Sequence, residues 1–311
     1  MQRIAVYTTV YPGVEEYLPD WHRSLEAQTD LDFQLFIGLD KTDAGQIEAV
    51  IGTQLDAIWV RPESGDSPSQ IRQRSLAQIV KDFDEVVLVD SDDVLDPSRV
   101  ASARASLKTC ELAACALRLV DQHRRDLRTT LTLSEQAAAD NILPRNNVFG
   151  FSNSAYRSEL LGRCLPIPAD VALVDWFLAT KAWLMGAKLE FDSIARMEYR
   201  QHGANMAPIR FPYDADQVIR DTKKVLDHFH ILQASPMERV LVDRWKQVEE
   251  AANDVLLFSE RVVSQPKQLE NYVRHLNTLE PQVVWWWDVA QPALQWMWKD
   301  HSGVRYEASN D

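Results

Sequence analysis

The chain has 311 residues, of which 46% are apolar and 25% charged, which is the composition of a folded protein with a sizeable core. Its formal net charge of -13 argues against general nucleic-acid binding, because an acidic surface repels phosphate backbones, but it leaves room for a local basic patch that holds one diphosphate. The three cysteines, Cys110, Cys115 and Cys164, lack metal-ligand spacing, so we expect buried thiols in a reducing cytosol.

Membrane insertion is not expected from the sequence. No apolar stretch approaches the ~20 residues of a membrane-spanning helix. The apolar run at residues 4–10 is too short for a signal peptide and predicts a first strand instead. We therefore expect a cytoplasmic protein, with peripheral contact at the inner face of a membrane as an open alternative.

The first ninety residues alternate short apolar runs with amphipathic segments. The runs predict strands at 4–10, 33–39, 57–60 and 86–89, and apolar residues at helical spacing predict a helix after each of the first three. The fourth run is the most apolar, so we expect it near the centre of the sheet. This alternation predicts an α/β fold with a mostly parallel sheet flanked by helices.

Later parts of the chain are less regular. Apolar runs predict strands at 148–151 and 189–191, with a helix at 176–185 between them. From about residue 211 onward helical spacing continues without strands. We therefore predict a catalytic domain over residues 1–210 and a helical C-terminal extension over residues 211–311.

Polar residues follow the predicted strands, where ligands bind in a parallel sheet. The sharpest group is Asp90, Ser91, Asp92 and Asp93, directly after the fourth strand. Carboxylates packed together repel one another unless a cation lies between them. Mg2+ or Mn2+ would suit such oxygen ligands, together with substrate phosphates. The alternative is a solvated acidic turn in which Asp92 or Asp93 caps a helix.

Residues 83–97 resemble the strand, DxD motif and following proline of family 2 glycosyltransferases, which are inverting enzymes of the GT-A fold. Residues 5–11 resemble that family's first strand, Asp40 its acidic turn, and Arg72 the arginine that precedes the DxD strand. The resemblance implies that Asp92 holds a metal ion. It further implies that these residues contact a nucleoside-diphosphate sugar: Thr8, Thr9, Tyr11, Asp40, Arg72, Asp90 and Ser91.

Two downstream segments extend the resemblance. Residues 173–176 resemble the element whose aspartate is the catalytic base, which implies that role for Asp175; a helix N-cap is the alternative. Residues 199–205 resemble a Tyr-Arg-Gln-His-Gly element of bacterial surface-polysaccharide transferases, including rhamnosyltransferases. This implies that His202 contacts the metal or the diphosphate. Arg200 either contacts the diphosphate or pairs with Glu198. Val174 and Ala204 depart from the family pattern.

These patterns together predict a metal-dependent, inverting hexosyl- or deoxyhexosyltransferase that uses Mn2+ or Mg2+. The donor would be a nucleoside-diphosphate sugar, and the acceptor would be a hydroxyl of a glycan or a lipid-linked acceptor in cell-surface glycan synthesis. One alternative is a haloacid-dehalogenase-type phosphatase with Asp90 as nucleophile, since Asp90–Val94 fits an Asp-x-Asp-x-Val pattern. Another is a non-catalytic protein that binds sugar nucleotides.

Tryptophan is concentrated near the C-terminus, at Trp285, Trp286, Trp287, Trp296 and Trp298. The simplest interpretation is a helix packed on the catalytic domain, since a buried indole N–H needs a partner and a large apolar ring needs a cover. A homodimer interface, a membrane-surface contact and a sugar-stacking platform are the functional alternatives.

Overall fold

The computed structural model describes residues 2–133, 139–203, 205, 207–209, 211–237 and 239–299. Its N-terminal part alternates strands and helices as the sequence predicts. The elements are β1 (Ile4–Val10), α1 (Leu18–Glu26), β2 (Gln34–Leu39), α2 (Ala44–Ile51), β3 (Ala57–Val60), α3 (Pro68–Asp82) and β4 (Glu85–Leu88). The four strands are parallel, in the order β3-β2-β1-β4.

Local sequence signals explain where these helices begin and end. The Ser67 hydroxyl and the Gln70 amide form a reciprocal capping box at the start of α3, with Pro68 in the first turn. Asp43 caps α2 by accepting from the Gln46 N–H, and Gly52 ends that helix in the left-handed region at φ 83°. Every residue of β1 is buried, as expected for a strand inside a sheet covered on both faces.

The sheet continues beyond β4 with a different connectivity. The next elements are β5 (Val94–Leu95), α4 (Arg99–Ser106), β6 (Leu112–Asp121), β7 (Asp126–Leu131), α5 (Ala139–Ile142), β8 (Ser154–Arg157), α6 (Ser158–Cys164), α7 (Val174–Leu184) and β9 (Leu189–Gln201). The strand order runs β4-β8-β6-β9-β5, with β7 paired to β6. Strand β8 is antiparallel to its neighbours β4 and β6, whereas β6 and β9 are parallel to each other. The predicted α/β class and its central fourth strand are confirmed.

The predicted strand at 148–151 is wrong. This segment is a buried loop, and the strand begins three residues later, at Ser154. Asn147 and Asn153 make the loop possible, because their side chains bond the carbonyls of Phe149 and Val148 that a sheet would otherwise satisfy. The predicted strand at 189–191 is the beginning of the much longer β9, and β6 and β7 were not predicted.

Helices follow β9, as expected from the sequence. They are α8 (Ala215–Ala234), α9 (Val242–Phe258), which continues as a π-helical turn over Ser259–Val263, and α10 (Pro266–Leu276); a short 3-10 helix covers Pro292–Met297. Helix α7 contacts α6, α8 and α9 and is buried on nearly all sides, so it joins the sheet to the C-terminal helices. The boundary near residue 210 stays a prediction.

The tryptophan-rich segment packs on the rest of the chain, but not as a helix. Trp285, Trp286 and Trp287 are buried in an irregular stretch, and Trp298 is also buried. Trp296 is 51% exposed, so it alone among these five rings presents a large surface to solvent. The three cysteines are buried free thiols. Within the described residues, no helix combines the length and the apolar character needed to cross a bilayer.

Candidate active site

A cavity of about 250 Å³ lies where the carboxyl ends of the parallel strands meet α3, α7 and the C-terminal segment. Most of the residues singled out in the sequence reach it. Those that line it are Thr9, Tyr11, Asp40, Arg72, Asp90, Asp92 and Asp175. They come from five separate parts of the chain, three at the ends of parallel strands and two on the helices α3 and α7.

The turn after β4 divides its side chains between the cavity and the sheet. Asp90 and Asp92 face the cavity, while Ser91 is fully buried and donates from its hydroxyl to the Thr9 carbonyl at 2.9 Å. Ser91 therefore ties the acidic turn to the end of β1. The predicted contact between Ser91 and the sugar nucleotide is not supported by this placement, because the Ser91 hydroxyl bonds a backbone carbonyl instead.

Asp92 is the meeting point of two distant segments. Its Oδ2 atom accepts from the Tyr11 hydroxyl at 3.2 Å and lies 2.8 Å from His202 Nε2. The His202 ring also packs against Tyr17, with 5.0 Å between ring centroids. The two residues that the sequence pairs as metal ligands are thus adjacent, although 110 positions separate them.

The pKa of Asp90 is raised above the ordinary value of an aspartate. Burial and the neighbouring Asp92 carboxylate raise the pKa of Asp90 to about 7, while the Arg72 guanidinium, 3.7 Å away, opposes that rise. Arg72 is itself held over the Phe151 ring at 4.4 Å. Among the described lining residues, Arg72 is the one arginine beside the half-buried Asp90 and the buried Asp92. The remaining negative charge is one that a divalent cation would neutralise, so this donor set fits Mg2+ or Mn2+.

Arg200 supports the acidic turn by hydrogen bonds and does not face the cavity. Its guanidinium donates to the carbonyls of Asp92 at 2.7 Å and Gln122 at 2.8 Å and pairs with Asp20 at 3.2 Å. Its backbone N–H donates to Asp93 Oδ1 at 2.8 Å. The predicted pairing of Arg200 with Glu198 is wrong. Arg200 is 2% exposed and does not line the cavity, so it fixes the acidic turn from behind.

Asp175 lies in the first turn of α7 with its carboxylate in the cavity. One oxygen accepts from the Trp176 N–H at 2.8 Å and the other from the Asn147 side-chain amide at 3.1 Å. Burial raises the pKa of Asp175, against the hydrogen bond from Trp176 and the charge of Arg72. The alternative role as a helix N-cap is wrong, because Leu173 occupies the cap position and no side chain bonds there.

Thr8, like Ser91 and Arg200, is a predicted contact that does not line the cavity. Successive side chains of a strand point to opposite faces. Thr9 and Tyr11 line the cavity, while Thr8 is fully buried on the other face of β1. Its predicted role as a donor contact therefore lacks a path to the site.

Several wall residues were not predicted. Phe151, Ser152, Tyr199, Trp285 and Trp286 complete the cavity from the loop after α5, from β9 and from the C-terminal segment. The Trp285 ring meets Tyr199 edge to face at 5.7 Å. The tryptophan cluster was conspicuous in the sequence, but nothing in its spacing indicated that two of its rings would face the acidic turn.

Comparisons with known proteins identify the fold. Neither a family profile nor a curated protein matches the sequence. Among solved structures, the chain resembles the mannosyltransferase PcManGT from Pyrobaculum calidifontis, in complex with GDP-Man and Mn2+, at a TM-score of 0.56 and 16% identity over 90% of this chain and 82% of that one.

It also resembles S. aureus TarS. The complex of TarS residues 1–349 with UDP-GlcNAc gives a TM-score of 0.53 and 16% identity over 88% of both chains. Against a longer TarS chain the TM-score is 0.56 at 18% identity, over 81% of this chain, which spans 43% of that protein's length. These likenesses show that the chain has the α/β fold of those proteins.

Proposed function

We propose that this chain is a glycosyltransferase that moves a sugar from a nucleoside diphosphate to a hydroxyl acceptor. One observation carries the proposal: a single cavity holds an acidic pair, Asp90 and Asp92, and a separate, half-buried carboxylate, Asp175. Transfer with inversion needs a site that accepts the leaving diphosphate and a distinct base for the acceptor proton. The two solved structures of similar fold that hold GDP-Man and UDP-GlcNAc support the same donor class.

The donor would bind along the strand ends. Thr9, Tyr11 and Asp40 provide polar groups on the side of β1 and β2, where we place the nucleoside. Arg72 lies in this wall and would contact a phosphate by its guanidinium fork. Asp92 and His202 would hold Mn2+ or Mg2+, which when bound would neutralise charge on the departing diphosphate.

The described residues contain no group of three His, Cys, Asp or Glu side chains arranged to hold a metal ion. Two protein ligands are compatible with this chemistry, because Mg2+ commonly keeps water and binds substrate phosphates beside one or two carboxylates. His202 and Asp92 already lie 2.8 Å apart, so neither has to move far to share an ion.

Asp175 would remove the acceptor proton. Its half-buried carboxylate lines the cavity, and desolvation there raises its pKa, which makes it a stronger base than an exposed aspartate. Its two hydrogen bonds hold it in one orientation. We place the acceptor hydroxyl between Asp175 and the anomeric carbon, opposite the diphosphate, which yields inversion.

The finer class follows from the sequence resemblance. We infer family 2 membership, a hexosyl or deoxyhexosyl donor group, and an acceptor that is a glycan or lipid-linked glycan of the cell surface. The Tyr-Arg-Gln-His-Gly element of residues 199–203 supports this class, since it begins at the end of β9 and places His202 beside the acidic turn.

A turnover assay tests the proposal. Purified protein with Mn2+ is incubated with UDP- and GDP-sugars and a panel of glycan acceptors, and release of free nucleoside diphosphate is measured with and without acceptor. We expect acceptor-dependent release from one donor class. Tight donor binding with no release for any acceptor would instead indicate a non-catalytic binding protein.

The phosphatase alternative is weaker on structural grounds. That mechanism is normally expected to carry its nucleophilic aspartate at the end of the first strand. Asp90 instead follows the fourth strand in chain order rather than the first. Hydrolysis of simple phosphate monoesters that is lost in Asp90→Asn would favour the phosphatase over the transferase.

A further inference from the structure

Asn147 lies beside Asp175 and has a fixed amide orientation. Its Oδ1 atom accepts from the Phe149 N–H at 2.9 Å, and a backbone N–H can only donate. The Nδ2 group must therefore face the other way, toward the Asp175 carboxylate at 3.1 Å and the Phe149 carbonyl at 3.3 Å. Asn147 is buried, so water does not compete for these bonds.

The C-terminal segment holds the backbone of the same residue. The Trp285 N–H donates to the Asn147 carbonyl at 3.2 Å, and the Asn147 N–H donates to the Trp285 carbonyl at 3.4 Å. This two-bond bridge joins residues that lie 138 positions apart. It fixes the loop from which the Asn147 side chain reaches Asp175.

We propose that Asn147 is a positioning residue for Asp175, and that the Asn147–Trp285 bridge makes the C-terminal segment part of that positioning. The inference rests on the proposed role of Asp175 as general base. A donated hydrogen bond orients the Asp175 carboxylate toward the cavity and favours its ionised form, which is the form that accepts a proton.

Burial and other neighbouring groups also act on the pKa of Asp175. Burial raises the pKa of Asp175 most, and the Asp175 charge in turn raises the pKa of the nearby Asp90. Arg72 and the backbone N–H groups of Trp176 and Phe151 act in the opposite direction, and the buried Tyr156 lies close by as a neutral group. Removing the Asn147 donor therefore moves the Asp175 pKa further upward.

The test is the pH dependence of turnover in Asn147→Asp. This substitution keeps an oxygen for the Phe149 N–H but replaces the donor that faces Asp175 with an acceptor. We expect the acidic limb of the rate profile to move up by about one pH unit or more, with turnover recovering at high pH and nucleotide affinity unchanged. Asn147→Ala should shift the limb in the same direction.

Asn146→Ala is the matched control. Asn146 bonds the Trp285 carbonyl at 3.4 Å but has no hydrogen bond to Asp175, so its pH profile should stay parental. Thermal unfolding confirms that each variant is folded, and Asn147→Asp is the milder change because it keeps the bond to Phe149. A parental pH profile in both Asn147 variants would overturn the inference and leave Asp175 as base. An active Asp175→Asn would overturn the base assignment itself.

Discussion

The half-buried Asp175 carboxylate accepts two hydrogen bonds, which hold it in one orientation from which it can accept a proton. We predict that Asp175→Asn folds and binds nucleoside diphosphate with near-parental affinity, because the amide keeps most of the side-chain shape. Turnover should fall by about 10²-fold or more, as is usual when a general base is lost. Steady-state rates and calorimetric titration with nucleotide measure the two quantities.

Asp170→Asn provides the control for that experiment. Asp170 lies in the same loop before α7 but is exposed, so its substitution should leave turnover unchanged. If Asp175→Asn retained near-normal turnover while Asp170→Asn lost it, the base would be Asp170.

Asp92 is the residue on which the metal assignment depends. We predict that Mn2+ strengthens binding of nucleoside diphosphate to the parent and that Asp92→Ala abolishes this gain, because the ion loses its carboxylate ligand. The measurement is the dissociation constant with Mn2+ and with chelator. His202→Ala should reduce the gain less than Asp92→Ala does, since a carboxylate contributes charge and a neutral imidazole does not. An Asp92→Ala variant with the full parental gain would refute the assignment.

At the scale of elements, the loop between α5 and β8 and the C-terminal segment depend on each other. A Cβ atom at Gly150 would lie 2.4 Å from the Trp285 ring, closer than side-chain atoms approach. We therefore predict that Gly150→Ala displaces Trp285, lowers the melting temperature by several degrees and reduces turnover. Scanning calorimetry and rate measurements test this.

Two further variants make the Gly150 prediction specific. Gly162→Ala should be close to neutral, because the nearest atom to an added Cβ there is 3.9 Å away. Combining Gly150→Ala with Trp285→Leu should recover part of the lost stability relative to Gly150→Ala alone, since the smaller side chain leaves room. Additive losses in the double variant would show that the two residues do not clash.

The elements that the sequence predicted are those whose patterns depend on local chemistry. Strands β1 to β4 have continuous apolar runs, and α3 has its capping box and proline, so their order and the position of Asp90 and Asp92 followed directly. The loop at 148–151 was mistaken for a strand because its apolar side chains are buried, while the asparagines that satisfy its backbone act through side-chain contacts that no periodicity reveals.

The rest of the site depends on contacts between distant residues. Ser91 was predicted to contact the sugar nucleotide, but its hydroxyl bonds the Thr9 carbonyl. Arg200 was a candidate to contact the diphosphate, but its guanidinium bonds backbone carbonyls and Asp20. Such assignments require knowing which face of a strand or turn is covered. Trp285 could not be placed for the same reason, because its partner Asn147 lies in another part of the chain.

Across the whole molecule, buried acids set the response of stability to pH. Burial and the neighbouring Asp221 raise the pKa of Asp288 to about 8, and its Oδ2 atom has no hydrogen-bond partner among the described residues. The folded state thus binds this proton more tightly than the unfolded state, whose aspartates titrate near pH 4. By linkage, the folded protein loses stability from this group as pH rises from about 4 toward 8.

We predict that Asp288→Asn raises the melting temperature at pH 8 and does so much less at pH 5, because the amide has no ionisation to suppress whereas the cost of keeping Asp288 protonated grows with pH. The relevant measurement is the melting temperature of both proteins across that range. Asp43→Asn is the control, since Asp43 caps α2 at the surface and its effect should vary little over the same range. A uniform change for Asp288→Asn at both pH values would exclude the titration.

The wall that contains Trp285 and Trp286 is synthesised after every other part of the cavity that it touches, from Thr9 through Asp175. A nascent chain that has emerged only as far as β9 therefore has its acidic turn and its base without their cover. Nucleotide binding by a series of ribosome-stalled chains of increasing length should rise in two steps, the second when residues 285–286 leave the exit tunnel. Assembly of the site is thus coupled to synthesis of residues 285–286, and we expect chains that end before them to bind nucleotide more weakly.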